Sequence, residues 1–372
     1  MLYLDNSATT PIHPDVKKAI LPYLFEEFGN PSSKYYSLAE NAKNAIKIAR
    51  NSVASLLGCS PIEIIFTSGS TESNNMIIKG VADYYKNKGK HIITTKVEHP
   101  SVLETCRYLE NRGFEISYLN VDQFGRIDLD DLRKEINENT ILVTIIWGNN
   151  ELGSLNDMES ISKICLQNNV FLHTDATQVI GKVNVNLADY PGITFLSFSG
   201  HKFHGPKGIG GSFIRKDKYE MLTKITPLLH GGGQEQGLRS GTLAVHNIVG
   251  IGKAAEIAKT NLQENIAKLT ELETYLRTIL EEKFKDRVVF NNDQVNKIPG
   301  ILSVQFLGIY NELLVKNLAP YVAVSTGSAC SSSKPSYVLN AIGLSIDQIR
   351  STIRISLSSF IEKESLDIFN QL

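Results

Sequence analysis

The sequence has few cysteines, almost no net charge and no long hydrophobic run, and each shortage argues against a class of protein. Its 372 residues include four cysteines, and none forms a C-x-x-C pair or lies near a histidine at zinc-finger spacing. We therefore expect neither a disulfide framework nor a structural metal. Lys and Arg total 38 against 39 Asp and Glu, a formal net charge of -1. This balance gives no electrostatic reason to expect direct nucleic-acid binding.

The apolar runs are too short for a membrane protein. The longest of them, such as 141–147, could not cross a bilayer. The N-terminal residues MLYLDNSATTPIHP lack a basic region followed by an apolar stretch, so no signal peptide is expected. We expect a soluble protein of a reducing compartment, located in the cytoplasm and without membrane partners.

Short apolar runs alternate with helical patterns between about residues 60 and 215. The strand candidates are 62–67, 91–95, 141–147, 170–174, 194–198 and 211–215. Helical spacing of apolar residues lies between them, over 101–111 and 158–168. This alternation predicts an α/β fold with a mostly parallel sheet between helices. In such sheets ligands bind outside the carboxyl ends of the strands.

A second, smaller α+β domain is predicted toward the C-terminus. Residues 251–285 form one long helix or two, and the short strand candidates 288–290, 301–306 and 353–357 follow. We expect a large domain over residues 15–255 and a small domain over residues 1–14 and 256–372. The small polar stretch 325–336 predicts a loop.

Two polar residues follow predicted strands in positions that suit catalysis. Lys202 comes after the strand TFLSF, where a lysine is a candidate Schiff-base amine, although a lone lysine is more often a surface residue. Asp175 ends the strand FLHTD. A carboxylate there can hold a protonated pyridine nitrogen, or it can cap a helix.

Three further features add signals of the same kind. The turn 67–73 (TSGSTES), with Ser70 and Thr71, opens a helix and could hold a phosphate or form an ordinary capping box. His99 follows another strand and could stack on a ring and move protons, or be structural. Cys330 lies in the small-residue segment GSACSSS, where a thiol is accessible, a condition for a nucleophile.

The order of these motifs resembles that of the NifS/IscS-type cysteine desulfurases, within the class V aminotransferases of the pyridoxal-phosphate (PLP) enzymes of fold type I. The resemblance runs from residue 3 to about residue 357. The matching segments are YLDNSATTP (3–11), GNPSS (29–33), FTSGSTESNN (66–75), EHPSVL (98–103), NNELG (149–153), HTDATQ (173–178), SFSGHKFHGPKGIG (197–210), HGGGQEQGLRSGT (230–242) and STGSACSS (325–332).

The resemblance implies a PLP site with the following residues. Lys202 would form the Schiff base, and Asp175 and Gln178 would contact the pyridine nitrogen and the 3-oxygen. His99 would stack on the ring and manage protons. The phosphate would be held by residues of the turn and of two later motifs: Ser70, Thr71, Ser199, His201 and, from the other subunit of a homodimer, Thr242.

The resemblance also implies a substrate and partners. Asn150 and Arg354 would bind the carboxylate of L-cysteine, and Cys330 would accept its sulfur as a persulfide while alanine is released. The persulfide would then pass to an acceptor protein, such as an iron–sulfur scaffold or a tRNA-thiolation enzyme.

Four departures from the family pattern are visible. They are Gln236 in place of an arginine, SLSSF (356–360) without a glycine after SL, Trp147-Gly148 before NNE, and about two residues fewer between Cys330 and Pro335. Two alternatives stay open: a selenocysteine lyase or related class V lyase, and a catalytically silent partner protein that keeps the fold for assembly.

Overall fold

The computed structural model describes residues 1–327 and 335–371. The strands are β1 Leu2–Tyr3, β2 Ile64–Thr67, β3 His91–Thr95, β4 Glu115–Leu119, β5 Thr140–Thr144, β6 Phe171–Asp175, β7 Ile193–Ser199, β8 Gly210–Ile214, β9 Val288–Phe290, β10 Ile301–Phe306, β11 Val322–Ala323 and β12 Thr352–Ser356. The α-helices are α1 Pro14–Phe25, α2 Ser37–Leu57, α3 Ser70–Tyr85, α4 Pro100–Glu110, α5 Leu129–Glu135, α6 Met158–Gln167, α7 Val245–Thr260, α8 Leu262–Phe284, α9 Asn311–Leu318, α10 Tyr337–Ala341, α11 Ile346–Arg350 and α12 Ile368–Gln371.

A seven-stranded sheet forms the centre of the molecule, in the order β2-β8-β7-β6-β5-β3-β4. Strand β8 runs antiparallel to both of its neighbours, and the other neighbouring pairs are parallel. Strands β2, β3, β5 and β8 are buried along their whole length, as expected when helices cover both faces. The predicted mostly parallel sheet is therefore confirmed.

Strand β4 was missed by the sequence analysis. It lies at an edge of the sheet, and its first residue, Glu115, is exposed while the next three are partly buried. A strand that is only half covered lacks the continuous apolar run by which the central strands were found. The prediction for 62–67 was also two residues too long, because Pro61–Glu63 forms a 3-10 turn before β2.

The helices pack through small residues on one face of α2. Its buried residues include Ala42, Ala45 and Ala49, which recur at the helical period. A Cβ added to Gly252 of α7 would lie 2.5 Å from the Cβ of Ala49. The two helices therefore approach closely because neither has a large side chain at the contact. The stretch 251–285 belongs to two helices, α7 and α8, which meet at Asn261.

The C-terminal part builds a second, smaller sheet in the order β12-β10-β9, which is antiparallel. Its hydrophobic cluster is contributed by α8, the three strands and α12, and it also contains Leu4 from the N-terminus. Strand β1 pairs in parallel with β11. The division into residues 15–255 and residues 1–14 plus 256–372 stays a prediction. No helix in the described ranges has both the length and the apolar content needed to cross a membrane.

Candidate active site

A cavity of about 310 Å³ lies at the carboxyl ends of the parallel strands, next to the smaller sheet. Strand β6 ends there with Asp175, and β7 leads into the short turn Gly200–Lys202. Most of the residues predicted from the sequence line this cavity: Ser70, Thr71, His99, Asn150, Asp175, Gln178, His201, Lys202 and Arg354. Side chains separated by up to about 280 positions in the chain thus converge on one place, where open α/β sheets bind ligands.

The amine of Lys202 is directed at the backbone that borders the cavity. Its Nζ donates to the carbonyl oxygens of Ser7 at 2.6 Å and Ala8 at 2.9 Å. Residues 7 and 8 belong to the segment between β1 and α1, which passes close to the end of β7. These two neutral acceptors hold the amine at the cavity wall.

Asp175 and His99 are connected through a buried amide and a hydroxyl. Asn74 Nδ2 donates to Asp175 Oδ2 at 2.8 Å and to Ser101 Oγ at 2.9 Å. Ser101 Oγ lies 2.8 Å from His99 Nδ1, and the backbone N–H of Thr177 donates to Asp175 Oδ1 at 3.0 Å. Because the Asn74 side chain is fully buried, this network fixes the carboxylate relative to the imidazole.

The environment of His99 favours its neutral form. Burial, the largest influence, lowers the pKa of His99, although the charge of Asp175 acts in the opposite direction. Nδ1 accepts the backbone N–H of Ser101 at 3.1 Å, so the neutral ring carries its proton on Nε2. Such an imidazole can lie against an aromatic ring and exchange a proton at Nε2.

The turn before α3 has the features of an anion site. Gly69, with φ 153°, precedes the helix, and no described side chain caps the first turn, where Ser70 and Thr71 face the cavity. A Cβ on Gly210 would lie 2.7 Å from Gly69 Cα, so β8 and the turn approach this closely because residue 210 is a glycine. This helix end borders the cavity, and the free N–H groups of a helix N-terminus attract negative charge.

The remaining predicted phosphate residues differ in their placement. His201 lines the cavity, and its Nδ1 lies 3.1 Å from Thr9 Oγ1. Burial, followed by the charges of nearby lysines, lowers the pKa of His201 to about 4, so it acts as a neutral hydrogen-bonding group. Ser199 is buried at the end of β7, beside the turn at Gly69, but it does not line the cavity. Thr242 is exposed and away from it.

Arg354, on β12, forms the small-sheet side of the cavity. Its Nη2 binds Asp5 Oδ1 at 2.8 Å, and its Nη1 donates to the backbone oxygens of Asn150 at 3.0 Å and Gly327 at 3.2 Å. Its Nε is buried and has no hydrogen-bond partner among the described residues. Arg354 is only 2% exposed, so its guanidinium is held in place and desolvated, and a guanidinium is a group that can bind a carboxylate.

Glu151 contacts residues on both sides of the segment that contains Cys330, namely Gly327 before it and Ser336 after it. Ser336 Oγ donates to its Oε2 at 2.6 Å, and a Cβ on Gly327 would come within 2.8 Å of the same oxygen. Burial raises the pKa of Glu151, which the hydrogen bond from Ser336 and the charge of Arg354 partly offset. Cys330 itself lies outside the described residues.

The other three thiols are poor nucleophiles. Cys106 and Cys165 are buried and Cys59 is partly buried. Burial raises the pKa of Cys59 and Cys106, and that of Cys165 to about 12. The thiolate forms of these residues are therefore scarce near neutral pH.

Sequence reasoning missed several residues that the structure brings to the site. Glu98 is fully buried next to His99, and burial raises its pKa to about 8. Tyr337 lines the cavity and donates its hydroxyl to the Glu98 carbonyl at 2.6 Å. Lys182 contacts Gln178. The two residues lie in one turn, where Gly181 has a positive φ of 79°, and no periodic pattern in the sequence indicated this contact.

Two residues that depart from the family pattern, Gln236 and Trp147, make defined contacts in the structure. Gln236, with φ 59°, donates its Nε2 to the Ile62 carbonyl at 2.8 Å. Its neighbour Glu235 accepts the Phe66 N–H at 2.7 Å and pairs with Arg50. The loop that carries Thr242 is thereby attached to β2. Trp147 is buried with an edge-on contact to Tyr190.

The fold and the cavity define a member of the class V aminotransferases. The family described as Aminotransferase class-V matches residues 2–369, and the chain belongs to this family. Within it, the chain is 46% identical over 375 residues to cysteine desulfurase IscS of Buchnera aphidicola subsp. Baizongia pistaciae, covering 100% of this chain and 91% of the relative. It is 46% identical over 369 residues to cysteine desulfurase IscS of Dictyoglomus turgidum, covering 98% and 92%.

Solved structures give the same result. A NifS-like protein superposes with a TM-score of 0.92 at 38% identity, covering 100% of this chain and 97% of that one. SspA in complex with cysteine superposes with a TM-score of 0.85 at 37% identity, covering 97% and 100%. The resemblance inferred from the motifs and the predicted fold are both confirmed.

Proposed function

We propose that this protein is a PLP-dependent cysteine desulfurase that converts L-cysteine to L-alanine and keeps the sulfur as a persulfide on Cys330. The observation that carries the proposal is the convergence of an amine, a carboxylate, an imidazole and a buried guanidinium on one cavity: Lys202, Asp175, His99 and Arg354. The family membership and the printed names of the relatives support it.

The chemistry of the cavity fits PLP. The uncapped first turn of α3 suits a phosphate, Asp175 suits a protonated ring nitrogen, and Lys202 supplies the amine. Ser7 Oγ and Thr177 Oγ1 belong to cavity-lining residues, and within the described ranges these buried atoms have no hydrogen-bond partner. Buried polar atoms of this kind are normally satisfied, and a polar ligand would satisfy them. When bound, PLP supplies an electron sink for the carbon next to the substrate amine.

The chain's residues then divide the work. Arg354, with Asn150 beside it, binds the carboxylate of cysteine and sets which bond at Cα faces Lys202. Lys202 takes and returns the proton at Cα, because its amine is the base at the cavity wall. His99 holds a proton at Nε2 and exchanges it with the substrate.

Sulfur transfer is assigned to Cys330. Its sulfur bonds to the substrate sulfur while the bond between Cβ and that sulfur breaks, and Cβ gains a proton. The products are alanine and a Cys330 persulfide, so no external oxidant is needed. The high pKa values of the other three thiols support this choice. The persulfide would serve an acceptor protein of iron–sulfur assembly or tRNA thiolation, and a reducing cytoplasm would keep the Cys330 thiol free.

The direct test is a product assay. Purified protein reconstituted with PLP should turn yellow, and with L-cysteine and a reducing thiol it should form equal amounts of alanine and sulfide. Alanine is measured by amino-acid analysis and sulfide by a colour reaction. Protein that binds no PLP and forms no alanine would contradict the proposal and favour the silent partner.

A homodimer with shared sites is also expected. Thr242 lies outside the cavity of its own chain, and the resemblance assigns it to the phosphate of the neighbouring subunit. PLP binding and association should therefore stabilise each other. Light scattering should give twice the chain mass, and Thr242→Ala should weaken PLP binding. A monomer that binds PLP fully at low concentration would contradict this prediction.

A further inference from the structure

We infer that Lys182 is a positioning residue that fixes the orientation of the Gln178 amide and so turns its N–H groups toward the cofactor cavity. This inference rests on the proposed function, because it concerns how the chain holds PLP. It adds to the proposed site a residue that does not itself line the cavity.

The geometry is a chain of three hydrogen bonds. Lys182 Nζ donates to Gln178 Oε1 at 2.8 Å, and Gln178 Nε2 donates to the Ser7 carbonyl at 2.8 Å. The same carbonyl accepts Lys202 Nζ at 2.6 Å. The turn after β6 places Lys182 beside Gln178: the Ile180 N–H bonds to the Ala176 carbonyl, and the chain passes through Gly181 with a positive φ of 79°.

The chemistry of the amide explains why the lysine matters. A protonated lysine has three donors and no acceptor, so the end of the amide that it contacts must be the oxygen. The nitrogen end must then face the opposite way, toward Ser7 and the cavity. One N–H of Gln178 is used by Ser7, and the second is available to an acceptor in the cavity. Without Lys182 the amide could rotate and present an acceptor to the cofactor's ring oxygen, which would repel it.

Among the described residues, no carboxylate pairs with the ammonium group of Lys182. It lines a smaller cavity, of about 70 Å³, which shares the lining residues Ser7 and Lys202 with the first one. Burial lowers the pKa of Lys182 to about 7, and the charges of Lys202 and Arg354 add to this effect. Burying the Lys182 cation near the cations of Lys202 and Arg354 costs free energy. The contact with Gln178 gives the buried lysine a role in the site.

The test is a double-mutant cycle in which the affinity for PLP is measured by protein fluorescence. The measurement is made at a pH well below 7, where Lys182 carries its proton. Gln178→Ala should weaken PLP binding about tenfold, the value of one hydrogen bond to a charged group. Lys182→Met should weaken it by a similar factor and shift the visible absorbance. The double variant should be no worse than Gln178→Ala alone, since Lys182 acts through Gln178.

Lys182→Arg, which keeps a donor-only cation, should restore most of the affinity, and the exposed control Lys163→Met should match the wild type. Additive losses in the double variant, or a Lys182→Met protein with wild-type affinity and spectrum, would overturn the inference and leave the proposed function intact. A wild-type chain that binds no PLP would overturn both.

Discussion

Replacing Lys202 with alanine is expected to reduce alanine formation from cysteine by about a thousandfold or more, because Lys202 is the one lysine among the described residues that line the cavity, and its amine is lost as proton carrier. Lys202 Nζ contacts the carbonyls of Ser7 and Ala8, and neither group can take over its proton transfer. The absorbance of the Schiff base between Lys202 and PLP should also disappear. Amino-acid analysis and absorbance spectroscopy measure the two effects.

A matched control separates this effect from misfolding. Lys163 lies exposed on α6 and pairs with Glu159 on the surface, so Lys163→Ala should keep full activity and colour. The Lys202→Ala protein should unfold at a temperature close to that of the wild-type protein without cofactor. Retained turnover in the Lys202→Ala protein would exclude Lys202 as the amine that carries the reaction.

Replacing Cys330 with serine is expected to leave PLP and cysteine binding intact while alanine release falls by at least about a hundredfold, because a hydroxyl is a far weaker nucleophile toward sulfur than a thiolate. The carbon chemistry belongs to Lys202 and the cofactor, so the spectral change on adding cysteine should survive. In the wild type, turnover should rise with pH until Cys330 is ionised.

The buried cysteines supply the control for this variant. Cys165→Ala should retain the wild-type rate, since burial raises the pKa of its thiol to about 12. Selenocysteine as substrate distinguishes the desulfurase from the remaining alternative, a selenocysteine lyase or related class V lyase. A Cys330→Ser protein that still releases alanine quickly from both selenocysteine and cysteine would indicate a lyase that does not use this thiol.

The central strands and the main site residues could be predicted because their signals are local. Strands such as His91–Thr95 are short, buried and followed by a polar motif. Asp175 ends its strand, and Lys202 comes three residues after the end of its strand. Strand β4 could not be found, since it is only half buried and lacks a continuous apolar run. The network through Asn74 and the contact of Asp5 with Arg354 also escaped prediction. They join residues far apart in the chain, and only the packing of the sheets brings them together.

Gln178 illustrates how the sequence motif and the structural contacts complement each other. The motif DATQ identified the residue, but the sequence did not indicate what orients its amide. The structure supplies Lys182 on one side and the Ser7 carbonyl on the other. Residues that touch a ligand tend to lie in recognisable motifs, whereas the residues that orient them are found through contacts.

The most direct test of the account is mass spectrometry of the Cys330 peptide after a single turnover with L-cysteine in the absence of a reducing thiol. The account predicts one added sulfur atom on this peptide, in an amount equal to the alanine released, and none on the peptides of Cys59, Cys106 or Cys165. Sulfur on one of those three peptides, or alanine released without any sulfur on Cys330, would contradict it.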